Sequence, residues 1–215
     1  VTFSLEDFLR VNAFGTQNLV DAAIESNICE GFLNISTAYE YGPKGYLISE
    51  NTDFSPQGNY AISKAVWSMY LDQKIHSLWF PWITYRLFSV YGPNDIGRII
   101  PLITDAIILE KELHLFDIHR KRDFVYIDTV ISLALKFDKI RKNNINSLNI
   151  WSWESLSVYE LVAKLSQILN RPILNNIIFD ESSIPNAHWE CNNALLKQYI
   201  DPILLNDGLL KALKH

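Results

Sequence analysis

Apolar residues recur along this chain in blocks that alternate between helical and extended spacing. Ser4-Leu5-Glu6-Asp7 reads as a helix start, with Ser4 as cap and acidic residues in the first turn. Phe8, Val11, Leu19, Val20 and Ala23 continue it as a stripe at helical spacing. Gly31 to Ser36 reads as a short strand, and Pro43 to Gly58 as a polar loop. A helix follows from Asn59 to about Leu78, in which Trp67, Met69 and Tyr70 read as packing residues. Trp82 to Phe88 is the next strand. Ile99 to Glu110 is a helix opened by Pro101, and Leu113 to Phe116 a short strand. Asp128 reads as the cap of a helix from Thr129 to Arg141. Ser147 to Ile150 is a strand, and Ser157 with Glu160 forms a capping box for a helix ending near Leu169. Asn176 to Phe179 is the last strand.

Composition narrows the class. The 215 residues are 48% hydrophobic and 20% charged, an ordinary globular balance with enough apolar residues for a substantial core. The net charge is -5, and the basic run His119-Arg120-Lys121-Arg122 is short, which argues against nucleic acid as a partner. Apolar runs are broken by charges before they reach membrane-spanning length, so no membrane role is expected. Cys29 and Cys191 stand alone, without the spacing of a metal site or a disulfide framework, and point to a cytoplasmic protein.

The candidate chemistry lies between Thr37 and Lys64. A hydroxyl, Thr37, ends an apolar strand, and Tyr60 and Lys64 stand four residues apart at the start of a helix, on one face. A free phenol has a pKa near ~10 and is a poor base at neutral pH. A neighbouring ammonium favours the phenolate, and lowering the phenol by about three units takes roughly 4 kcal/mol. Thr37 can hydrogen-bond a substrate hydroxyl and share its proton with Tyr60. The trio suits removal of a proton from a secondary alcohol as a hydride leaves the same carbon.

With the surrounding motifs, Ser36-Thr37 before Tyr41-Gly42 and Asn12-Ala13-Phe14-Gly15-Thr16-Gln17-Asn18-Leu19, the chain resembles the extended short-chain dehydrogenase/reductase family in its nucleotide-sugar epimerase/dehydratase branch. Arg86-Leu87-Phe88-Ser89-Val90-Tyr91-Gly92-Pro93 and Arg122-Asp123-Phe124-Val125-Tyr126-Ile127-Asp128 extend the resemblance, as does the closing helix around Leu204 to Leu210. The resemblance implies an α/β fold: a Rossmann-type parallel sheet with its N-terminal part missing, and a smaller C-terminal substrate-binding lobe. Residues 1–95 would carry the catalytic trio within the cofactor domain. Residues 96–215 would form mainly the lobe, interleaved with the last strands.

The implied cofactor is NAD or NADP, approached by Asn12, Tyr60, Lys64 and Phe88, with Gly15 allowing close helix packing. The implied substrate is a nucleotide-diphosphate sugar, met by Thr37, Ser89 and Arg122, the last suited to a bidentate grip on a diphosphate. Arg86 is expected to be structural, and no metal is implied. A homodimer through the helices around Leu5 to Ser26 and Asn59 to Leu78 is expected from the resemblance.

Several departures qualify these expectations. The chain has no Gly-x-x-Gly-x-x-Gly, so it is expected to be N-terminally incomplete, leaving the strands from Gly31 and Trp82 short of neighbours. Ala38 and Tyr39 replace the Asp-Glu that follows the Thr in related dehydratases, which disfavours dehydration. The segment Glu181 to Ala187 lacks an Arg-x-x-Asp clamp, Ser89 stands where Asn is usual, and Trp151 and Trp153 replace glycines, suggesting a locally different backbone. The reading is therefore an NAD(P)-dependent nucleotide-sugar epimerase or reductase. Its rivals are a non-catalytic paralogue or truncated form serving as an interaction scaffold, and a reductase of a small carbonyl compound.

Overall fold

The computed structural model describes residues 3–44, 46–74, 80–180, 190–192 and 194–213. Ser4 caps α1 (Leu5–Leu9) through a capping box with Asp7. The helix continues through a π-helical stretch, Arg10–Gly15, into α2 (Thr16–Glu25). Strand β1 (Phe32–Thr37) follows, then a 3-10 turn (Ala38–Tyr41), the loop, and α3 (Asn59–Lys74). Next come β2 (Trp82–Leu87) and β3 (Ser89–Tyr91).

The first sheet is wholly parallel, in the order β1-β2-β6, with β6 at Ser147–Ile150. Contrary to the expectation for the strand from Trp82, β2 has a neighbour on each side. It is buried from Trp82 to Arg86, as its near-continuous apolar run requires of a covered parallel strand. Alternation sends Trp82 to the α1–α3 side, where it joins Ala13, Val20, Trp67 and Leu71. Ile83 and Tyr85 face the other way, toward Val130, Leu133 and Ile140 on α5 (Ile127–Ala134) and α6 (Phe137–Arg141). Helices thus cover both faces.

The smaller body is built around α4 (Ile99–Leu109), α7 (Val158–Leu169) and α8 (Leu205–Ala212). They enclose Ile103, Ile107, Leu161, Leu165 and Leu209 against β5 (Arg122–Tyr126). Strand β5 pairs parallel with β3 and antiparallel with β7 (Ser155–Leu156), while β4 (Leu113–Leu115) pairs parallel with β8 (Ile177–Phe179). Phe124 and Tyr126 point into this body's core and Val125 into the other, so β5 joins the two.

Several expected details differ. Asp128 is not a cap: α5 starts at Ile127, and Asp128 in its first turn pairs with Lys211 at 3.6 Å. The helix expected to run on to Arg141 breaks at Leu135 and Lys136, before α6. Met69 is exposed rather than packed, whereas Trp67 is buried and stacks on Tyr70. A Cβ at Gly15 would meet nothing closer than the Arg10 carbonyl, 3.5 Å away in its own helix, so no neighbouring element requires that glycine. Trp153 adopts a positive φ of 78°, a conformation that favours glycine. The segment Glu181 to Ala187 and the end of the helix expected to reach Leu78 lie outside the described residues.

Candidate active site

Thr37 is the last residue of β1, at the carboxyl end of a parallel strand, where open α/β sheets bind ligands. It is buried, and its Oγ1 accepts from the Tyr39 amide at 3.3 Å. The Tyr60 phenol, in the first turn of α3, lies close enough to the Thr37 side chain for that hydroxyl to favour the phenolate. One turn on, Lys64 Nζ donates to the Ile35 carbonyl at 2.6 Å. Thr37, Tyr60 and Lys64 thus all lie at the junction of β1 and α3.

Asn12 reaches the same helix from the other side. It lies in the π-helical stretch, and such widened turns are frequent at functional sites. Its Nδ2 donates to Ser63 Oγ at 3.0 Å, and Ser63 Oγ donates to the Tyr60 carbonyl at 2.8 Å. Asn12 therefore anchors the turn that carries Tyr60.

Burial raises the Tyr60 phenol above its ordinary value, with the Thr37 side chain acting against it, the Glu40 and Tyr39 charges adding to it, and Arg98 opposing. The expected lowering of the phenol is thus not present in this arrangement, where the Lys64 ammonium lies against the Ile35 carbonyl. Burial lowers Lys64 below its ordinary value, and the Glu40 charge opposes that shift.

Beside the trio, Thr37, Ala38, Tyr39, Leu87, Phe88, Ser89 and Arg122 line one small cavity. Ser89, Arg122 and Tyr39 also border a neighbouring cavity of about 420 Å³, lined as well by Arg98 and the start of α4. Asn12 and Tyr60 border a third of about 270 Å³, with Phe3, Phe8 and Val11. Arg122 is held in place by Asp117 at 3.2 Å. Thr37, Phe88, Ser89 and Arg122 are therefore brought together, and Tyr60 links them to the Asn12 side.

Sequence reasoning missed Tyr39 and Arg98. Arg98 immediately precedes α4, and a cation just before a Pro-opened helix was the available signal. Tyr39 carried none beyond its replacement of an acid. Gly42, after the 3-10 turn, has φ +69°, and a Cβ there would collide with the Ser55 carbonyl. Its bare backbone lets the loop pack against this turn, with the Ser55 amide donating to the Glu40 carbonyl at 3.0 Å.

The model of the NAD dependent epimerase/dehydratase family matches residues 4–147. The chain belongs to this family. Among its relatives, the uncharacterized UDP-glucose epimerase YtcB of Bacillus subtilis is 27% identical over 95% of this chain and 66% of its own length. The dTDP-D-glucose 4,6-dehydratase of Homo sapiens is 30% identical over 76% of this chain and 47% of its own length. The chain thus spans less than two thirds of the curated relatives it matches. A Bacillus anthracis dTDP-glucose 4,6-dehydratase solved with NAD superposes with a TM-score of 0.84, at 21% identity, over 100% of this chain and 69% of that one. A Thermus thermophilus UDP-glucose 4-epimerase, also solved with NAD, gives 0.79 at 20% identity, over 95% and 69%. The fold is therefore the Rossmann-type α/β fold of NAD-dependent epimerases and dehydratases.

The residues present fit the nicotinamide end of such a cofactor. Lys64 is half-buried and carries three donors, of which the Ile35 carbonyl takes one, so others can reach ribose hydroxyls. Among the described residues, no helix is long and apolar enough to cross a membrane.

Proposed function

We propose that the complete protein is an NAD(P)-dependent nucleotide-sugar epimerase or reductase. The observation that carries this reading is the placement of Thr37 at the end of β1 beside Tyr60 and Lys64 at the start of α3, next to an arginine-lined cavity at a strand's carboxyl end. When bound, the nicotinamide accepts and returns hydride at a sugar carbon. Thr37 orients the reacting hydroxyl and Tyr60 takes its proton, while Lys64 holds the ribose and, as an ammonium, favours the phenolate. The sugar passes through a ketone. In an epimerase the hydride would return to the opposite face of the ketone and Tyr60 would give the proton back to the oxygen; in a reductase the substrate would be the keto-sugar, the reduced cofactor would supply one hydride, and Tyr60 would supply the proton. Arg122 and Arg98, on walls of one cavity, suit a diphosphate between them.

Dehydration is disfavoured by the side chains after Thr37. Ala38 is buried and carries no acid, and Tyr39 stands on the cavity wall. Glu40, the next carboxylate, is bonded into the interior by Ser68 and Arg86. Exposed apolar residues on α1–α3 (Val66 and Met69 among them) and on the π-helical stretch (Val11, Phe14) support a homodimer through those helices. The free cysteines, Cys29 exposed and Cys191 buried, suit a cytoplasmic location. No specific observation favours the scaffold reading.

The test is turnover of nucleotide sugars by the complete protein and its Tyr60→Phe variant. Loss of turnover by about 10²-fold or more, with NAD(H) affinity retained, is expected. Turnover unchanged in Tyr60→Phe sinks the assignment.

A further inference from the structure

Glu40 lies three residues beyond Thr37 and is fully buried. Its carboxylate accepts from three different elements. Ser36 Oγ donates from β1, Ser68 Oγ from α3 at 2.7 Å, and Arg86 Nε from β2 at 2.7 Å. These are the elements that bear the proposed chemistry. Ser36 precedes Thr37, Ser68 lies one helical turn beyond Lys64, and Arg86 is two residues before Phe88.

We propose that Glu40 is the positioning residue of this site, its single buried carboxylate locking both strands and the helix in register and setting a negative charge behind the Tyr60–Lys64 pair. The proposal rests on the reading of Tyr60 and Lys64 as the groups that move the proton.

A side chain whose only task was to fill the interior would not need to be ionic, because an apolar residue of similar volume replaces a buried ion pair at little or no cost in stability. A carboxylate offers what an apolar residue does not. Its two oxygens fix three donors at hydrogen-bond distance, and a reacting trio is sensitive to displacements on that scale. Its charge also persists inside, where water screens poorly. From β2, Arg86 faces Glu40; Asp72 on α3 lies 3.9 Å from that guanidinium, and the Tyr41 hydroxyl accepts from it at 3.3 Å. Tyr60 is faced by Thr37, Tyr39, Glu40 and Arg98. Glu40 acts on both members of the pair in the same sense, favouring the protonated phenol and the ammonium. It thereby opposes the effect of burial on Lys64 and adds to that of burial on Tyr60.

The experiment follows the Tyr60 and Lys64 titrations in the full protein by NMR, with ¹³Cζ-tyrosine and ¹⁵Nζ-lysine, comparing wild type with Glu40→Gln. Both midpoints are expected to fall by about half a pH unit or more. Ser68→Ala, which leaves the ion pair intact and removes only the tie to α3, is expected to lower kcat about threefold or more with KM little changed. Wild-type midpoints in a folded Glu40→Gln protein overturn the proposal. If Glu40→Gln does not fold, a wild-type kcat in Ser68→Ala overturns it. The titrations read protons and not turnover, so a Tyr60→Phe protein that still turns over would refute the proposed function by a separate measurement.

Discussion

The two bodies of this molecule both have apolar cores but differ in the polar network that only one of them carries. In the body of α4, α7 and α8, the interior is almost wholly hydrocarbon: Ile103, Leu161, Val162, Leu165 and Leu209 are fully buried against Phe124. Beneath the candidate site, the α3 face of the first sheet changes character along its length. It begins with Phe32 beside Trp82, passes through Asn34 beside Thr84, and ends with Ser36 beside Arg86 and Asn149. All but Phe32 are buried. Glu40, Ser68 and the Tyr41 hydroxyl close the network, with Tyr41 donating to Asn149 Oδ1 at 2.9 Å. One body gains its cohesion from area removed from water, which is non-directional. The other adds to its apolar cores a set of directional bonds, each costly to leave unmade. A hydrocarbon core tolerates small shifts, whereas a bonded network fixes positions, and the network lies where a reacting trio must be held.

The strongest way to break this comparison is to unpair the ion at its centre. Arg86→Met leaves Glu40 buried without its cation and is expected to cost about 3–5 kcal/mol in urea unfolding. Adding Glu40→Leu to that variant is expected to recover part of the loss, because both charges are then gone. A single Arg86→Met protein as stable as wild type would show that the network is not directional support. In the other body, Leu161→Ala removes a fully buried side chain of α7 and is expected to cost about 3 kcal/mol through lost transfer energy and the cavity left behind. There, Leu161→Met is expected to cost less than about 1.5 kcal/mol, since volume is conserved; an equal loss from both would contradict a core held by area alone. The smallest effect is expected at the entrance to α7. Ser157→Ala removes the cap on the Glu160 amide, with an expected loss of about 1 kcal/mol and no change in the site.

The same contrast decides what could be read in advance. Ser4 and Ser157 announce their helices because a capping box is a local arrangement spanning four residues. The run from Trp82 and the spacing of Tyr60 and Lys64 are legible for the same reason, as is Thr37 at a strand's end. Arg86 could be named structural, but its carboxylate partner could not. Glu40 and Arg86 are 46 residues apart, and neither pattern nor propensity pairs them. The break at Leu135 and Lys136 escaped notice because the apolar spacing runs through it. Arg98 escaped because only the fold brings it to the cavity that Arg122 also lines.

By itself, then, the sequence determined the periodic elements, their caps, the Tyr60–Lys64 spacing and the family resemblance. Each of these depends on residues close in the chain, or on motifs that stand as continuous words. The tertiary structure alone decided which residues share the polar interior, that Glu40 turns inward instead of serving the substrate, and that Thr37, Phe88, Ser89 and Arg122 line one cavity. Those outcomes depend on strand register, which brings Ser36 opposite Arg86 and Arg86 opposite Asn149. Register is set by the packing of whole strands and helices, and a shift of one residue would send every side chain of a strand to the other face.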